Sequence, residues 1–434
     1  MKPKQCFLNI LSACLMCLLM QNSWAQDEVR MKVQSDVMRR IVLAVSTFSS
    51  DRQTDLATNL RQMIINDLTL SGFFRIVDLS LYQDPASTGA SSESLSRDRI
   101  GGASVRLDGD LVLRGNDVTF NAKLVELASG LTILQKTFTG RFETLRPLAH
   151  RTADAVTAYL AGDEGIASTR IVFVRTEGDA KEISTVDYDG FNARQLTRSG
   201  VLNLSPSWSP DGRKLAFTSY EKGNPDLVIL DLECGRKIHF SQGSELHSAP
   251  DWSPDGKRIA MTMTRDGNAD IYILDMERQT LRRLTHGSAI DVSPSWSPNG
   301  REIAFTSNRS GRPQIYIMES DGSNVRRLTY EGAYNASPSW SPVGDRIAYV
   351  SRIEGRFQIF TIDVNGERPR QLTDSSGNNE NPTWSPNGMW IALASSRSGR
   401  WDIYVIRRDG ADLRRVTTTG TNVAPNWSPR LSYE

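Results

Sequence analysis

Ser205–Ser219 reads SPSWSPDGRKLAFTS, and the chain returns to this phrase four more times in full. Ala249–Met263 is APDWSPDGKRIAMTM, Ser293–Ser307 is SPSWSPNGREIAFTS, Ser337–Ser351 is SPSWSPVGDRIAYVS and Asn381–Ser395 is NPTWSPNGMWIALAS. The tryptophans Trp208, Trp252, Trp296, Trp340 and Trp384 stand 44 residues apart, and Trp427 follows after 43. A repeat of that length belongs to a propeller or a solenoid. The content of each unit decides between them. Ser-Pro followed by Asp, Asn or Val and then Gly is a type I turn, with Pro at its second position and Gly at its fourth. A β-branched strand follows (Leu215–Thr218, Ile259–Thr262, Ile303–Thr306, Ile347–Val350, Ile391–Ala394). A Gly-containing loop, a third strand such as Asp270–Leu274 or Gln314–Met318, a turn and a short fourth strand complete the unit. Four strands and no helix make a propeller blade.

The ends of the repeat region count the blades. Arg170–Val174 matches the strand after the Trp turn but has no Trp strand before it. Ala424–Pro429, APNWSP, is a Trp strand with nothing after it. The C-terminus therefore supplies what the first blade lacks, giving six blades and no open sheet edge. A periodic aromatic at strand spacing is a core element. Burial of each Trp is worth roughly 2–3 kcal/mol, which places it between blades.

Upstream of residue 166 the pattern changes. Ile41–Val45 is a continuous apolar run, as in a buried strand. Thr54–Leu70 carries apolar residues at helical spacing and stops at Gly72. Phe73–Val77, Leu107–Leu113, Val118–Leu127 and Leu131–Phe142 read as strands, Leu79–Gly102 as a long polar loop and Leu145–Leu160 as an amphipathic helix. The expected organisation is a signal peptide over 1–25, a tail over 26–40, an α+β domain over 41–165 and a six-bladed β-propeller over 166–434.

The leader rests on a basic start (Lys2, Lys4), an apolar Phe7–Met20 and small residues at Ser23 and Ala25, so cleavage after Ala25 is expected. A lipoprotein-like Leu11-Ser12-Ala13-Cys14 is the rival, but it leaves apolar Leu15–Met20 stranded after the lipidated cysteine. Losing Lys2 and Lys4 moves the net charge from +1 to −1, which points to neither a nucleic acid nor a charged membrane. No later stretch approaches 18 apolar residues, so the mature chain is not expected to span a membrane. Three of four cysteines lie in the leader, and Cys234 alone cannot form an internal disulfide.

Catalytic signatures are not found. The histidines (His150, His239, His247, His286) do not pair at metal-motif spacing, and no G-x-S-x-G elbow occurs. Asp187-Tyr188-Asp189-Gly190 faintly resembles a calcium loop but falls where the other repeats have a plain turn. No catalytic residue, metal ligand or cofactor is assigned. Paired carboxylates from separate blades would be invisible in sequence, so a hydrolase or lyase acting on glycans or lactones is the alternative.

Two features point instead to partners. Five residues before each Trp stand Asn203, His247, Asp291, Asn335, Asn379 and Asn422, all polar, on the loop entering the Trp strand. They either cap the turn backbone or form a polar rim for a partner or bound ions. Leu202, Leu246, Ile290, Tyr334 and Glu380 beside them would supply specificity. In the tail, Val29, Met31 and Val33 alternate with Arg30 and Lys32, as in a strand that pairs at home or joins another protein's sheet.

Leader, tail, α+β domain and W-S-P-[D/N]-G propeller together resemble the TolB family, periplasmic components of the Tol–Pal system of Gram-negative bacteria. The resemblance covers essentially the whole mature chain. The last repeat departs from the motif at Arg430, and the single Trp401-Asp402 pair lies off the repeat position, unlike in WD40 propellers. The resemblance implies a non-enzymatic periplasmic scaffold. It would bind the lipoprotein Pal through a propeller face holding Asn203, His247, Asp291, Asn335, Asn379 and Asn422. It would bind TolA through a tail including Asp27, Glu28, Val29, Arg30, Met31, Lys32 and Val33. Support of outer-membrane integrity and of constriction during division, contacts with outer-membrane proteins and exploitation by bacteriocins are implied in the same way.

Overall fold

A computed structural model of the chain describes residues 40–51, 54–81, 101–240, 246–265, 267–374 and 376–432, with backbone alone at 246 and 247. The tail residues Asp27–Val33 and most of the 79–102 loop lie outside the described residues.

The α+β portion is one sheet with two helices on it. Strands β1 (Ile41–Val45), β2 (Ser49–Ser50), β3 (Phe74–Asp78), β4 (Val105–Arg114), β5 (Asp117–Glu126) and β6 (Thr132–Arg141) lie in the order β3-β1-β4-β5-β6, with β2 on β4. β1 runs parallel to both β3 and β4, which places its side chains in the interior: Leu43, Ala44 and Val45 are fully buried. Helices α1 (Thr54–Leu70) and α2 (Leu145–Ala161) pack against each other and turn Leu60, Ile64, Leu68, Leu148 and Val156 inward, as their spacing predicts.

The propeller has the expected six four-stranded sheets. Blade 1 runs Asn203–Trp208, Lys214–Ser219, Asp226–Asp231, Lys237–Phe240 from the axis outward, and blades 2 to 5 repeat it. Blade 6 takes Thr421–Trp427 as its inner strand and Arg170–Glu177, Ala180–Asp187 and Arg194–Gln195 as the rest, so the ring closes as the chain ends require. Each Trp is a wedge between blades. Trp296, for example, packs on Ala260, Ile271 and Ile273 of blade 2 as well as on Ile303 and Phe305 of its own blade. The turn after it is also as expected: Gly300 N donates to Ser297 O at 2.9 Å.

One feature of the inner strands has no counterpart in the sequence reading. Ser205, Ala249, Ser293, Ser337, Asn381 and Ala424 all adopt φ near +50°, each just before a proline and each at a bulge in the pairing with the second strand. A left-handed residue before proline is strained. The strain is held by the neighbouring blade, as where Ser337 N donates to Thr306 Oγ1 at 3.0 Å.

Candidate functional site

The bulges line one end of the axial channel and the Trp-Ser-Pro turns line the other. The two faces of the disc differ. The α+β portion docks on the turn face, over blades 5 and 6. Gly72 rests on the Trp390 ring, whose Nε1 donates to Ser71 O (3.4 Å), and Asn387 Nδ2 donates to Asp163 Oδ1 (3.0 Å). The opposite face, formed by the hairpins between second and third strands and by the links between blades, is left uncovered by the described residues of that portion.

The six polar residues that precede the tryptophans belong to this uncovered end, and the five whose side chains are described are not an exposed rim. Each lies in the inner strand, near or at its first residue, rather than on a loop. Asn203, Asp291, Asn335, Asn379 and Asn422 are all buried; for His247 only the backbone pairing with Met263 is described. The bulge and the next-door blade enclose them, and neither is visible locally. The side chains of these five form a latch between blades. Asn335 Nδ2 donates to Gln314 Oε1 (2.8 Å) on the third strand of blade 3 and to Glu331 O (2.7 Å). Thr329 Oγ1 donates to the same Gln314 oxygen (2.7 Å) and accepts Ile315 N (2.9 Å). Asn379 with Gln358 and Thr373, Asn422 with Asp402 and Thr417, and Asn203 with Glu182 and Thr197 repeat it. Asp291 cannot donate to the buried Asp270 opposite, and two arginines compensate. Arg309 reaches Asp291 at 3.0 Å and Arg283 reaches Asp270 at 2.5 Å. The latch therefore pairs the buried amide donors and ties down the blade links that make up the uncovered face, as where Asn335 holds Glu331 O and Asn422 holds Thr419 O. Of the neighbours, Ile290 is half exposed, and Leu202, Tyr334 and Glu380 are partly buried.

A second polar belt lies one residue before each Trp. Asp251 Oδ2 accepts Trp296 N at 2.8 Å, Asn426 Oδ1 accepts Trp208 N at 2.9 Å and Ser295 Oγ accepts Trp340 N at 3.0 Å. Asp251 is the one carboxylate among the described residues lining the channel. Burial pushes its carboxyl up to about 7, against the single lowering hydrogen bond from Trp296 N–H.

The Asp187–Gly190 turn, with Gly190 N on Asp187 O (2.9 Å), is a docking point. Arg146 of α2 pairs with Asp189 (2.6 Å) and Asp187 (3.4 Å), Arg170 with Asp187 (3.1 Å), and Tyr188 Oη donates to Asp67 of α1 (2.9 Å). His150 of α2 bonds Asp67 through Nδ1 at 2.8 Å. Burial alone would lower the His150 pKa, but Asp187 and Asp67 outweigh it and hold it at about 9. Burial would raise Asp187, but His150, Arg170 and Asn192 bring it to about 2. Asp67 and His150 lie 83 positions apart in sequence, and no motif signals the pair. Among the described residues no cluster of three His, Cys, Asp or Glu could hold a metal, and no helix is long and apolar enough to cross a membrane.

Comparison with known proteins agrees with this architecture. Residues 29–132 match the family model of the TolB amino-terminal domain and residues 158–431 that of the TolB beta propeller domain. Curated relatives include the Tol-Pal system protein TolB of Syntrophus aciditrophicus, 37% identical over 228 residues. That of Roseobacter denitrificans is 33% identical over 234 residues. The aligned chain spans about half the length of these relatives, 50% and 52% respectively, and the same shares of its own. The crystal structure of TolB from Acinetobacter baumannii superposes with a TM-score of 0.79 at 27% identity, covering 90% of this chain and 97% of that one. Two domain models in the same order and a match along nearly the whole of a solved relative place the chain in one family: it belongs to the TolB family.

Proposed function

We propose that the chain is a non-enzymatic periplasmic component of the Tol–Pal system, exported by its N-terminal leader. In this reading the uncovered propeller face binds Pal and the tail around Asp27–Val33 binds TolA. The complex supports outer-membrane integrity and constriction during division, and bacteriocins could use the same surfaces. The observation that carries the reading is the two-domain TolB architecture with one propeller face occupied by the α+β portion and the other left open by the described residues. Asn203, Asp291, Asn335, Asn379 and Asn422 then act by holding the links that shape this face, not by touching Pal.

The test is calorimetry with mature protein beginning at Gln26, the soluble domain of Pal and the C-terminal domain of TolA from the same organism. Both should bind, and deleting Gln26–Gln34 should abolish TolA binding while leaving Pal binding intact. No binding of Pal to the intact protein overturns the scaffold reading.

A further inference from the structure

The uncovered face is not uniform. At the first link position after the Leu-Thr of each blade, Tyr330 stands 70% exposed, where the other described links have Arg198, His286, Asp374 and Thr418. At the hairpin position two residues past the end of the second-strand core, Ile353 is 36% exposed, where the other blades have Glu177, Glu221, Arg265, Arg309 and Arg397. Ile290, 50% exposed, adds a third apolar group from the preceding link. All three belong to blades 3 and 4. Tyr334, in the same link as Tyr330, packs against Phe357 of blade 4, ring centroids 5.4 Å apart.

These groups stand on braced backbone. Ile290 N donates to Asn308 Oδ1 (2.8 Å) and Ile290 O accepts Asn308 N (3.2 Å). Tyr334 O accepts Arg352 N (3.1 Å), and Gln314 Nε2 holds Gly332 O (3.1 Å) between Tyr330 and Tyr334. Ile353 opens the tight hairpin Glu354-Gly355, both at positive φ. Aromatic and aliphatic anchors on a pre-set frame lose little freedom on binding. The surrounding charge has one sign in excess. Exposed Arg312, Arg352 and Arg356 and half-buried Arg327, whose guanidinium lies 4.9 Å from the Tyr330 ring centroid, stand against Glu331 and Glu354.

We infer that the blade 3–blade 4 sector, centred on Ile290, Tyr330 and Ile353, is the docking surface for a protein partner that presents an apolar projection ringed by acidic side chains. This rests on the scaffold reading and names the part of the face it uses. The arginines favour an acidic rim, and the apolar trio fits a projecting side chain rather than a flat polar surface.

The experiment measures binding of the soluble domain of Pal to the full mature protein by surface plasmon resonance. The Ile290→Ser/Tyr330→Ser variant should bind at least tenfold more weakly, mostly through faster dissociation. Arg312→Glu/Arg356→Glu should mainly slow association, and raising salt from about 50 to about 300 mM should do the same to the wild type. Arg198→Ser and Thr418→Ser, at the equivalent of Tyr330 in other links, should bind as wild type. Melting curves confirm that each variant is folded. Unchanged affinity in the first variant, or an equal loss at Arg198, overturns the sector. Salt-independent association overturns the acidic rim. If wild type itself fails to bind Pal, the scaffold reading falls and the sector with it.

Discussion

Asp251→Asn should make the protein more stable, and most of all at neutral and alkaline pH. Five of the six residues that precede a Trp in the inner strands are neutral: Ser207, Ser295, Ser339, Thr383 and Asn426. Asp251 carries the same hydrogen bond to the next blade as Asn426 does, 2.8 against 2.9 Å, so an amide can replace it without loss of that contact. What changes is charge. The Asp251 carboxyl rises from 3.8 to about 7 on folding. Between those values the folded chain holds a proton that the unfolded chain has released. Stability therefore falls as pH rises from about 4 to about 7, and the whole penalty is present above that. A rise of that size corresponds to about 4 kcal/mol. Asp251 is only partly buried and faces the channel, so solvent screening reduces this to ~1–2 kcal/mol. For a chain of this size that is about 1–3 °C in Tm. The assay is thermal melting of wild type and variant at pH 5 and pH 8. The variant should gain at pH 8 and gain less at pH 5. An equal gain at both, or a loss at pH 8, would refute the reasoning.

Three further outcomes follow from the packing. Asn335→Asp should destabilise more than Asn335→Ala, which itself costs about 1–3 kcal/mol by removing the hydrogen bonds donated to Gln314 Oε1 and Glu331 O. Blade 4 has Ile353 where blade 3 has the Arg309 that pairs with Asp291, so adding Ile353→Arg should restore part of the loss in a urea-denaturation cycle; no restoration would contradict the compensation seen in blade 3. Trp340→Ala should cost about 3–5 kcal/mol in urea denaturation, since Trp340 fills the seam against Ala304, Ile315 and Ile317; a cost under about 1 kcal/mol would place it outside the core. His150→Ala should lower Tm at pH 6.5 by breaking a buried charged pair worth ~3 kcal/mol or more. Because the folded-state pKa of His150 is about 9, its contribution is complete below about 6.5 and is lost as pH rises through 9. The variant should therefore lack the extra decline that wild type shows from pH 8 to 10, and an identical decline in both would rule His150 out as its source.

The propeller was legible because its information is periodic and local. A turn, a β-branched strand and a buried Trp recur every 44 residues, and the broken first and last units imply closure. Helices α1 and α2 were legible for the same reason, since their apolar stripes repeat at 3.6 residues. For the polar ring, the alternative of capping the adjoining backbone matches Asn335 on Glu331 O and Asn422 on Thr419 O, while burial of these side chains was not foreseen. In sequence, Asn335 sits between a Gly-containing link and a strand, and such residues usually turn corners in water. What buries it is Gln314 and Thr329 of another blade, together with a bulge at Ser337 that no propensity announces. The small residue before each inner-strand proline was the available sign of that bulge, since a bulky side chain is disfavoured there. The Asp67–His150–Asp187 network was out of reach, because its members meet only after two helices and a blade have been placed together.

The docking of the α+β portion bears on the weakest point of the ring. Five blades are continuous hairpins, but in blade 6 no loop connects the inner strand Thr421–Trp427 to its partner Arg170–Glu177. A sheet closed by a non-covalent pair of strands opens there first, because every other adjacent pair is also held by a short loop. The contacts that seat the helices fall on both sides of this seam. Asp154 Oδ1 and Oδ2 accept Ala167 N (2.8 Å) and Ser168 N (2.9 Å) just before the second strand of blade 6, and Thr169 Oγ1 takes the Trp427 indole from the closing strand (2.9 Å). Leu431 N returns to Ser168 O (2.9 Å), while Trp390 of blade 5 carries Gly72. The Arg146 and His150 pairs with Asp187 fix the third strand of the same blade. The α+β portion thus acts on the propeller as a clasp, and its charged interface sits at the blade where holding the ring shut contributes most.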